Sequence, residues 1–197
     1  MIKIRNATFK DLDAVMELEN AIWSPGTRSP RNKFESRLSR FPEGFFLAYK
    51  QDKVIGVSTS QIITYNGGSI NSWEGVTDWG SISTHNPEGN ALYVVSIGSI
   101  SRSGGGSALI QAQKELVKKL NLDYLVLGSR IPGFDAYCNE NGNISIEEYV
   151  TLKRENGELL DPELRFYTRN GLSLKEIRPN YMEDDKESRN YGAIMIW

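Results

Sequence analysis

Cysteine and histidine are nearly absent from this sequence, which has one of each among its 197 residues, Cys138 and His85. A lone cysteine cannot form an internal disulfide, so nothing in the sequence points to an oxidising compartment. A structural zinc site takes about four cysteine or histidine ligands, more than this sequence can supply. We therefore expect no metal centre.

The chain also lacks a long apolar run and an excess of positive charge. No segment approaches the roughly 20 apolar residues of a membrane-spanning helix, and charges interrupt the first residues too often for a signal peptide. Its 23 basic and 25 acidic side chains give a net charge of −2. Proteins that bind nucleic acid usually carry a basic excess. These absences favour a cytoplasmic globular protein that binds neither nucleic acid nor membrane.

Alternating and helical apolar patterns follow one another and predict the α+β class. Strands are predicted over residues 2–5, 45–50, 53–63, 91–100, 124–129, 173–177 and 191–197. Helices are predicted over residues 8–22, 33–41, 107–120, 145–156 and 162–170. We expect one domain over residues 1–197, built on a mixed sheet of about seven strands flanked by helices.

Residues 91–129 read as strand, loop, helix and strand, the pattern that joins two neighbouring parallel strands. The loop is "SRSGGGS", residues 101–107. It is not a dinucleotide fingerprint, because Leu109 stands where a third glycine is needed, and no Gly-Lys-Ser/Thr follows it. Two interpretations remain: a plain turn, or a loop whose N–H groups bind phosphate at a helix N-terminus.

The segment over residues 66–90 is rich in glycine and lacks regular periodicity. Loops of this length inside a domain are usually functional or mobile. Trp73 and Trp79 lie in it, either as core residues or as a wall for a substrate. Glu74 and His85 in the same segment are candidate proton acceptors, and histidine has the most suitable ordinary pKa, about 6.5. For each of the two, a solvated or purely structural role is the alternative.

The glycine loop resembles the acetyl-coenzyme-A loop of the GNAT superfamily of N-acetyltransferases, Q/R-x-x-G-x-G/A at the start of a helix. "SRSGGGSALIQA" places the motif glycines at Gly104 and Gly106. Ser101 stands where glutamine or arginine is expected, and Arg102 follows one place later.

Other segments extend the resemblance from residue 2 to residue 197. "LRFYTRNGL" is similar to the late signature F-Y-x-x-x-G-F, with Tyr167 at the tyrosine position. "GSRIPGFDAY" and "PNYMEDDKESRNYG" look like a subgroup that occurs alone or fused to carbon–nitrogen hydrolase domains. No hydrolase domain is recognisable in this sequence.

The resemblance implies an acetyl-CoA-dependent N-acetyltransferase, in which an amine attacks the thioester directly in a ternary complex. It implies that backbone amides of one strand hold the pantetheine arm and that the glycine loop holds the pyrophosphate. The matching residues are Val95, Ser96, Ile97, Gly98 and Ser99, followed by Arg102, Ser103, Gly104, Gly105, Gly106 and Ser107. It also implies that the Tyr167 hydroxyl is the general acid for the departing thiolate.

Two further features stay open. Arg130, just after a predicted strand, is either a substrate contact or part of a structural ion pair. "MEDDKES", residues 182–188, reads as a solvated turn between the last strands, with a lip that recruits a cation as the alternative. The identity of the acceptor amine and the existence of a homodimer are not predicted.

Two other functions compete with acetyl transfer. A cysteine hydrolase would use Cys138 and His85, but Cys138 lies in the polar stretch "YCNENGN", without an activating helix start. A GNAT-like module that binds acyl-CoA or a partner protein without turnover is the stronger rival. The unusual Ser101 favours it.

Overall fold

One mixed sheet runs through the computed structural model, which describes all residues, 1–197. Its strands are β1 (Lys3–Asn6), β2 (Phe46–Lys50), β3 (Lys53–Ile63), β4 (Ala91–Ser99), β5 (Tyr124–Ser129), β6 (Ser173–Arg178) and β7 (Gly192–Ile196). The spatial order is β1-β2-β3-β4-β5-β7-β6. Only β4 and β5 pair in parallel, and every other pair is antiparallel. The expected seven-stranded α+β fold is confirmed.

Seven helices accompany the sheet. They are α1 (Leu12–Ile22), α2 (Arg31–Arg40), α3 (Trp73–Thr77), α4 (Gly105–Lys119), α5 (Phe134–Asn141), α6 (Ile146–Tyr149) and α7 (Pro162–Arg169). None of them combines the length and the apolar character needed to cross a bilayer.

Neighbouring residues of β2 pack into the layers on the two opposite faces of the sheet. Leu47 lies in the core that includes residues of α1 and α2, whereas Ala48 packs with Leu109 of α4. Because successive side chains of a strand point to opposite faces, α1 and α4 cover opposite faces of the sheet. This arrangement holds β4 in the middle of the protein.

The predicted turn between β2 and β3 is present. Gln51 and Asp52 both adopt positive φ, 50° and 61°. A two-residue turn with positive φ at both positions matches the twist of a hairpin, and these residues adopt it without the usual glycine.

Three local predictions were wrong. The helix that starts at Ser145 ends at Tyr149, and residues 156–157 instead form a turn between Lys153 and Leu159. Its cap is as predicted, because the Ser145 side chain accepts from the Glu148 N–H, but a cap specifies only where a helix begins. The stretch around Cys138 is helix α5, with the thiol side chain buried, and residues 66–90 contain α3.

A tight contact joins the strands near the middle of the sheet. Tyr181 is fully buried and lies directly against Gly128 of β5 and Gly192 of β7, so that a Cβ at either glycine would overlap its ring. Its hydroxyl forms a short hydrogen bond with the hydroxyl of Tyr93 on β4. The two glycines are therefore required by close packing.

We predict that Gly128→Ala destabilises the protein by about 1–3 kcal/mol or more, because the added methyl group must displace the buried Tyr181 ring. Urea unfolding measures the change. Gly26→Ala is the control, since no atom lies within 4 Å of its added Cβ. Equal losses in the two variants would contradict the packing argument.

Candidate active site

A cleft opens where β4 and β5 separate. The two strands pair only from Ala91–Tyr124 to Val94–Leu127, although both continue further. The space between and beside them encloses about 780 Å³. Beyond Val94, the edge of β4 that faces β5 has no partner strand.

This cleft is walled by the two separating strands, the segment from the end of α1 to the start of α2, α3 with Trp79, the start of α4, one face of α7, and the residues before β7. The lining residues used below are Glu19, Trp23, Arg28, Lys33, Trp73, Glu74, Trp79, Val94, Val95, Ser96, Ile97, Gly98, Ser99, Gly106, Leu127, Arg130, Glu163, Phe166, Tyr167, Met182, Glu183, Asp184 and Asp185.

The predicted pantetheine strand, Val95 to Ser99, does line the cleft. A β-bulge in the pairing of β3 with β4 leaves Val95 without a partner residue in β3. The Val95 carbonyl accepts a hydrogen bond of 2.9 Å from the Trp73 indole N–H. The bulge therefore fixes Trp73 in the wall. Gly98 lies so close to Ile22 and Trp23 that a Cβ would clash there.

The glycine loop lies at the edge of the cleft, and Gly106 is its only lining residue. Helix α4 begins at Gly105, two residues before the predicted start, after Gly104 in the left-handed region at φ 81°. The Gly105 N–H donates to the Ser103 hydroxyl, 3.1 Å away. The N–H groups of Gly106 and Ser107 have no acceptor in the protein. This end of α4 can therefore accept an anion.

Tyr167 projects into the cleft from α7 and is only 6% exposed. Its hydroxyl has no hydrogen-bond partner in the protein, so the alternative of a hydroxyl bonded to backbone does not hold. Burial raises the pKa of Tyr167 well above 10, and the nearby Glu163 carboxylate adds to the increase. The phenol is therefore protonated and free to donate.

Glu74 and the two tryptophans of the long loop also border the cleft. Glu74 is 9% exposed, and one of its oxygens accepts a 2.9 Å hydrogen bond from the Glu183 N–H. Trp73 is held in the wall, whereas Trp79 is 55% exposed at the rim. The structure thus brings these three predicted residues to one site.

His85 does not reach the cleft, which contradicts its prediction as a proton acceptor. Its Nδ1 accepts a 3.0 Å hydrogen bond from the Ile62 N–H, and its ring stacks on Phe41. Burial lowers the pKa of His85, as expected for a neutral ring that supports a strand end. A cysteine–histidine pair is excluded as well, because Cys138 is buried in the core that contains α5.

Arg130 forms the ion pair that was one of its two interpretations. Its guanidinium donates to both Asp185 oxygens at 2.9 and 2.6 Å, and to Glu187 at 2.6 Å. The Asp185 side chain is 1% exposed and Ser188 is buried, whereas the other charged residues of the segment 182–188 are exposed. The expected solvated turn is therefore present but anchored at two buried positions. Arg130 fastens this segment to the end of β5.

Sequence reasoning missed Glu163, which faces the cleft from the first turn of α7, one helical turn before Tyr167. Its carboxylate forms no ion pair and lies 3.4 Å from the Ser129 hydroxyl. Burial raises the pKa of Glu163 to about 7; Arg130 opposes the increase, and the charges of Asp161 and Asp185 support it. A carboxyl group that titrates near neutrality in a cleft can give and take protons.

A buried arginine beneath the cleft was also missed. Arg37 is 1% exposed and donates to the Gly80 carbonyl and to the hydroxyls of Ser29 and Ser96. Burial lowers its pKa to about 10, so it remains charged at neutral pH. Glu19, whose carboxylate accepts from the Ser29 N–H, supplies the nearby negative charge.

Two curated proteins of Bacillus subtilis (strain 168) are similar to this chain, and no family model matches it. YkwB, named an uncharacterized N-acetyltransferase, is 35% identical over 205 residues, which cover 100% of this chain and 88% of YkwB. YhcX, named a probable hydrolase, is 33% identical over 198 residues, which cover 98% of this chain but only 38% of YhcX. The latter match agrees with the expected hydrolase-fused subgroup.

Solved structures share the fold at lower identity. The loading GNATL domain of CurA from Lyngbya majuscula superposes with a TM-score of 0.86 at 21% identity, covering 100% of this chain and 97% of that one. The GphF GNAT-like decarboxylase in complex with isobutyryl-CoA gives 0.85 at 22% identity, covering 98% and 97%. Ard1 from Thermoplasma volcanium gives 0.62 at 17% identity, covering 100% and 96%.

The extent and identity of the YkwB match, together with this fold and cleft, establish the family. The chain belongs to the GNAT superfamily, and the acyltransferase class expected from the sequence is supported at that level.

We predict that Arg130→Ala destabilises the protein by about 3 kcal/mol, because it leaves the buried Asp185 carboxylate without its cation. Chemical denaturation measures the loss. The control is Arg169→Ala, which breaks an exposed pair with Glu158 and should cost no more than about 1 kcal/mol. A similar cost in both variants would show that Asp185 does not depend on Arg130.

Proposed function

We propose that this protein is an acetyl-CoA-dependent N-acetyltransferase that moves an acetyl group to an amine in a ternary complex. The observation that carries the proposal is the unpaired edge of β4, from Val95 to Ser99, which leads to the free N–H groups at the start of α4. A strand edge offers hydrogen bonds to an extended amide chain, and a helix N-terminus offers them to phosphate.

In this proposal the pantetheine arm lies along Val95 to Ser99, and the pyrophosphate binds beside Gly106 and Ser107. Gly104 and Gly105 let the backbone approach closely, while Arg102 and Ser103 add side-chain contacts. The exposed Arg102 has no partner in the protein, which leaves its charge available to a phosphate.

Acetyl transfer needs a base for the incoming amine and an acid for the leaving thiolate. The amine nitrogen attacks the thioester carbon, the carbon–sulfur bond breaks, and the amine proton must go to an acceptor. We assign the base to Glu163, because its pKa of about 7 lets it take a proton near neutral pH. Tyr167, one helical turn away, gives its proton to the sulfur.

A second candidate reaction is decarboxylation of a malonyl-type CoA thioester, because GphF, a GNAT-like decarboxylase, and a malonyl-CoA decarboxylase from Rhodopseudomonas palustris share the fold. The charges in the cleft count against it. A malonyl carboxylate needs a cation. Arg130 is already bound to two carboxylates and Arg28 to two backbone carbonyls, which leaves Lys33 as the one cation of the cleft without an ion pair or a hydrogen-bond partner. The third possibility is a module that binds acyl-CoA without turnover.

One set of measurements separates these functions. Isothermal titration measures acetyl-CoA binding, and free-thiol release measures transfer over a panel of amines. Binding with amine-dependent thiol release is the expected result. Binding without thiol release would indicate the non-catalytic module. Release of CO₂ from malonyl-CoA would indicate a decarboxylase. Absence of acetyl-CoA binding would contradict the proposal.

Tyr167→Phe removes only the hydroxyl and keeps the ring. We predict that turnover falls at least about 10²-fold, the usual effect of losing a positioned acid. The affinity for acetyl-CoA and the stability should stay near wild type, because the hydroxyl bonds to nothing in the free protein. Turnover within a few-fold of wild type would mean that another group protonates the thiolate.

Glu163→Gln tests the base through the pH profile of kcat/KM. With a pKa near 7, the wild-type rate should rise with pH through neutrality, and the variant should be slower and lack this limb. The same acceptor amine is used for both proteins, so the ionisation of the amine affects both pH profiles of kcat/KM equally and does not alter the difference between them. The exposed Glu147→Gln on α6 is the matched control and should keep the wild-type profile.

The same variant gives a stability test that needs no substrate. The folded-state pKa of Glu163 lies above its ordinary 4.5, so between about pH 4.5 and 7 the folded protein binds more protons than the unfolded chain. The contribution of Glu163 to the stability therefore falls as pH rises through this window. Glu163→Gln cannot ionise and should be the more stable protein above pH 7, by urea unfolding. An unchanged pH dependence would contradict the assigned pKa.

A further inference from the structure

We propose that the acceptor is a small aliphatic diamine or polyamine, bound as a dication or higher cation at the end of the cleft walled by Glu74, Glu163, Glu183 and Asp184. This inference rests on the proposed acetyl transfer and names the substrate class of that same site. It is argued from the charges, the burial and the apolar lining of the cleft.

Carboxylates outnumber cations in the cleft. The acids are Glu19, Glu74, Glu163, Glu183, Asp184 and Asp185, and the bases are Arg28, Lys33 and Arg130. Asp185 is paired with Arg130, and Glu19 lies beside the buried Arg37. The other four acids take part in no ion pair. Glu163 is partly protonated near neutral pH and lies within the field of Arg130, so the uncompensated negative charge is that of Glu74, Glu183 and Asp184.

The three cations of the cleft do not balance these acids. Arg130 already contacts two carboxylates. Arg28 donates to the carbonyls of Asn20 and Trp23, where it stabilises the C-terminal end of α1. Lys33 belongs to α2, forms no ion pair, and its charge acts on Asp78.

Two buried groups indicate that a ligand completes the site. Tyr167 is 6% exposed, faces the cleft and has a hydroxyl without any partner. Glu74 is 9% exposed and has a hydrogen bond at only one oxygen, with no cation nearby in the protein. Both polar groups open onto the cleft, and an ammonium group there can donate to the free carboxylate oxygen and to the phenol oxygen.

The surface between these polar groups is apolar. Trp73, Met182, Val94 and Leu127 line the cleft as well, and Trp73 and Glu74 are neighbours on α3. A chain of methylene groups packs on such side chains, and the Trp73 ring also attracts ammonium groups. An amine that carries a carboxylate meets an excess of negative charge here, because acids outnumber bases in the cleft. The chemistry therefore fits charges separated by an aliphatic spacer.

The test compares three acceptors with the same spacer but different far ends: diaminobutane, butylamine and γ-aminobutyrate. Thiol release from acetyl-CoA gives kcat/KM for each. We expect diaminobutane to exceed butylamine by at least about 10-fold, the value of one charge-assisted hydrogen bond, and γ-aminobutyrate to be poorest. The preference should weaken as salt is added.

Variants locate the preference in the cleft. Glu183→Gln combined with Asp184→Asn should raise KM for diaminobutane about 10-fold and affect butylamine less. Glu147→Gln removes an equally exposed carboxylate outside the cleft and should leave both acceptors unaffected.

The outcomes distinguish failure of the polyamine inference from failure of the proposed acetyl transfer. Transfer to all three acceptors at equal rates, or a preference for γ-aminobutyrate, would overturn the polyamine inference while the acetyltransferase stands. A diaminobutane preference that survives the double variant would also overturn the assigned site. Acetyl-CoA binding without transfer to any amine would instead overturn the proposed function. Diaminobutane binding to the CoA-bound protein, measured by calorimetry, checks the inference without catalysis.

Discussion

The separation of β4 from β5 is the constraint on which the rest of the site depends. The two strands stop pairing after Val94 and Leu127, because β4 continues along β3 through a bulge at Val95, while β5 is drawn against β7. Buried backbone groups need partners, so a strand edge freed in the middle of a sheet is a binding surface. The same gap admits α7, whose first two turns carry Glu163 and Tyr167 to that edge.

Polar contacts hold the walls of this gap in place. Arg130 fastens the segment before β7 through Asp185, and Arg37 joins the Ser29 region to Gly80 and β4. Such buried charges are expensive to desolvate, and apolar packing of the same volume would stabilise the fold at least as well. Their hydrogen bonds have defined directions, however, and so keep irregular loops at fixed positions around an open, partly hydrated cleft.

Side-chain periodicity and helix caps in the sequence predicted the strands and helices that depend on local interactions. The strands, the parallel unit around α4 and the start of α7 follow from side-chain periodicity and caps, and they were predicted correctly. The site depends on contacts between distant parts of the chain. His85 was chosen for the ordinary pKa of histidine, yet its bond to Ile62 places it elsewhere. Glu163 acquires its raised pKa from burial and from the charges of Asp161 and Asp185, against the effect of Arg130, and no local pattern reveals this.

The charge of the proposed acceptor and the proposed base act on each other. In the free protein, burial favours the protonated form of Glu163, which cannot accept a proton. An ammonium group that binds nearby favours the ionised carboxylate and lowers its pKa. Arrival of a cationic acceptor therefore converts Glu163 to the form that acts as a base, at the time when a substrate proton must be removed. A neutral or anionic acceptor would leave the carboxyl protonated, so the same group of acids both selects the substrate and prepares the reaction.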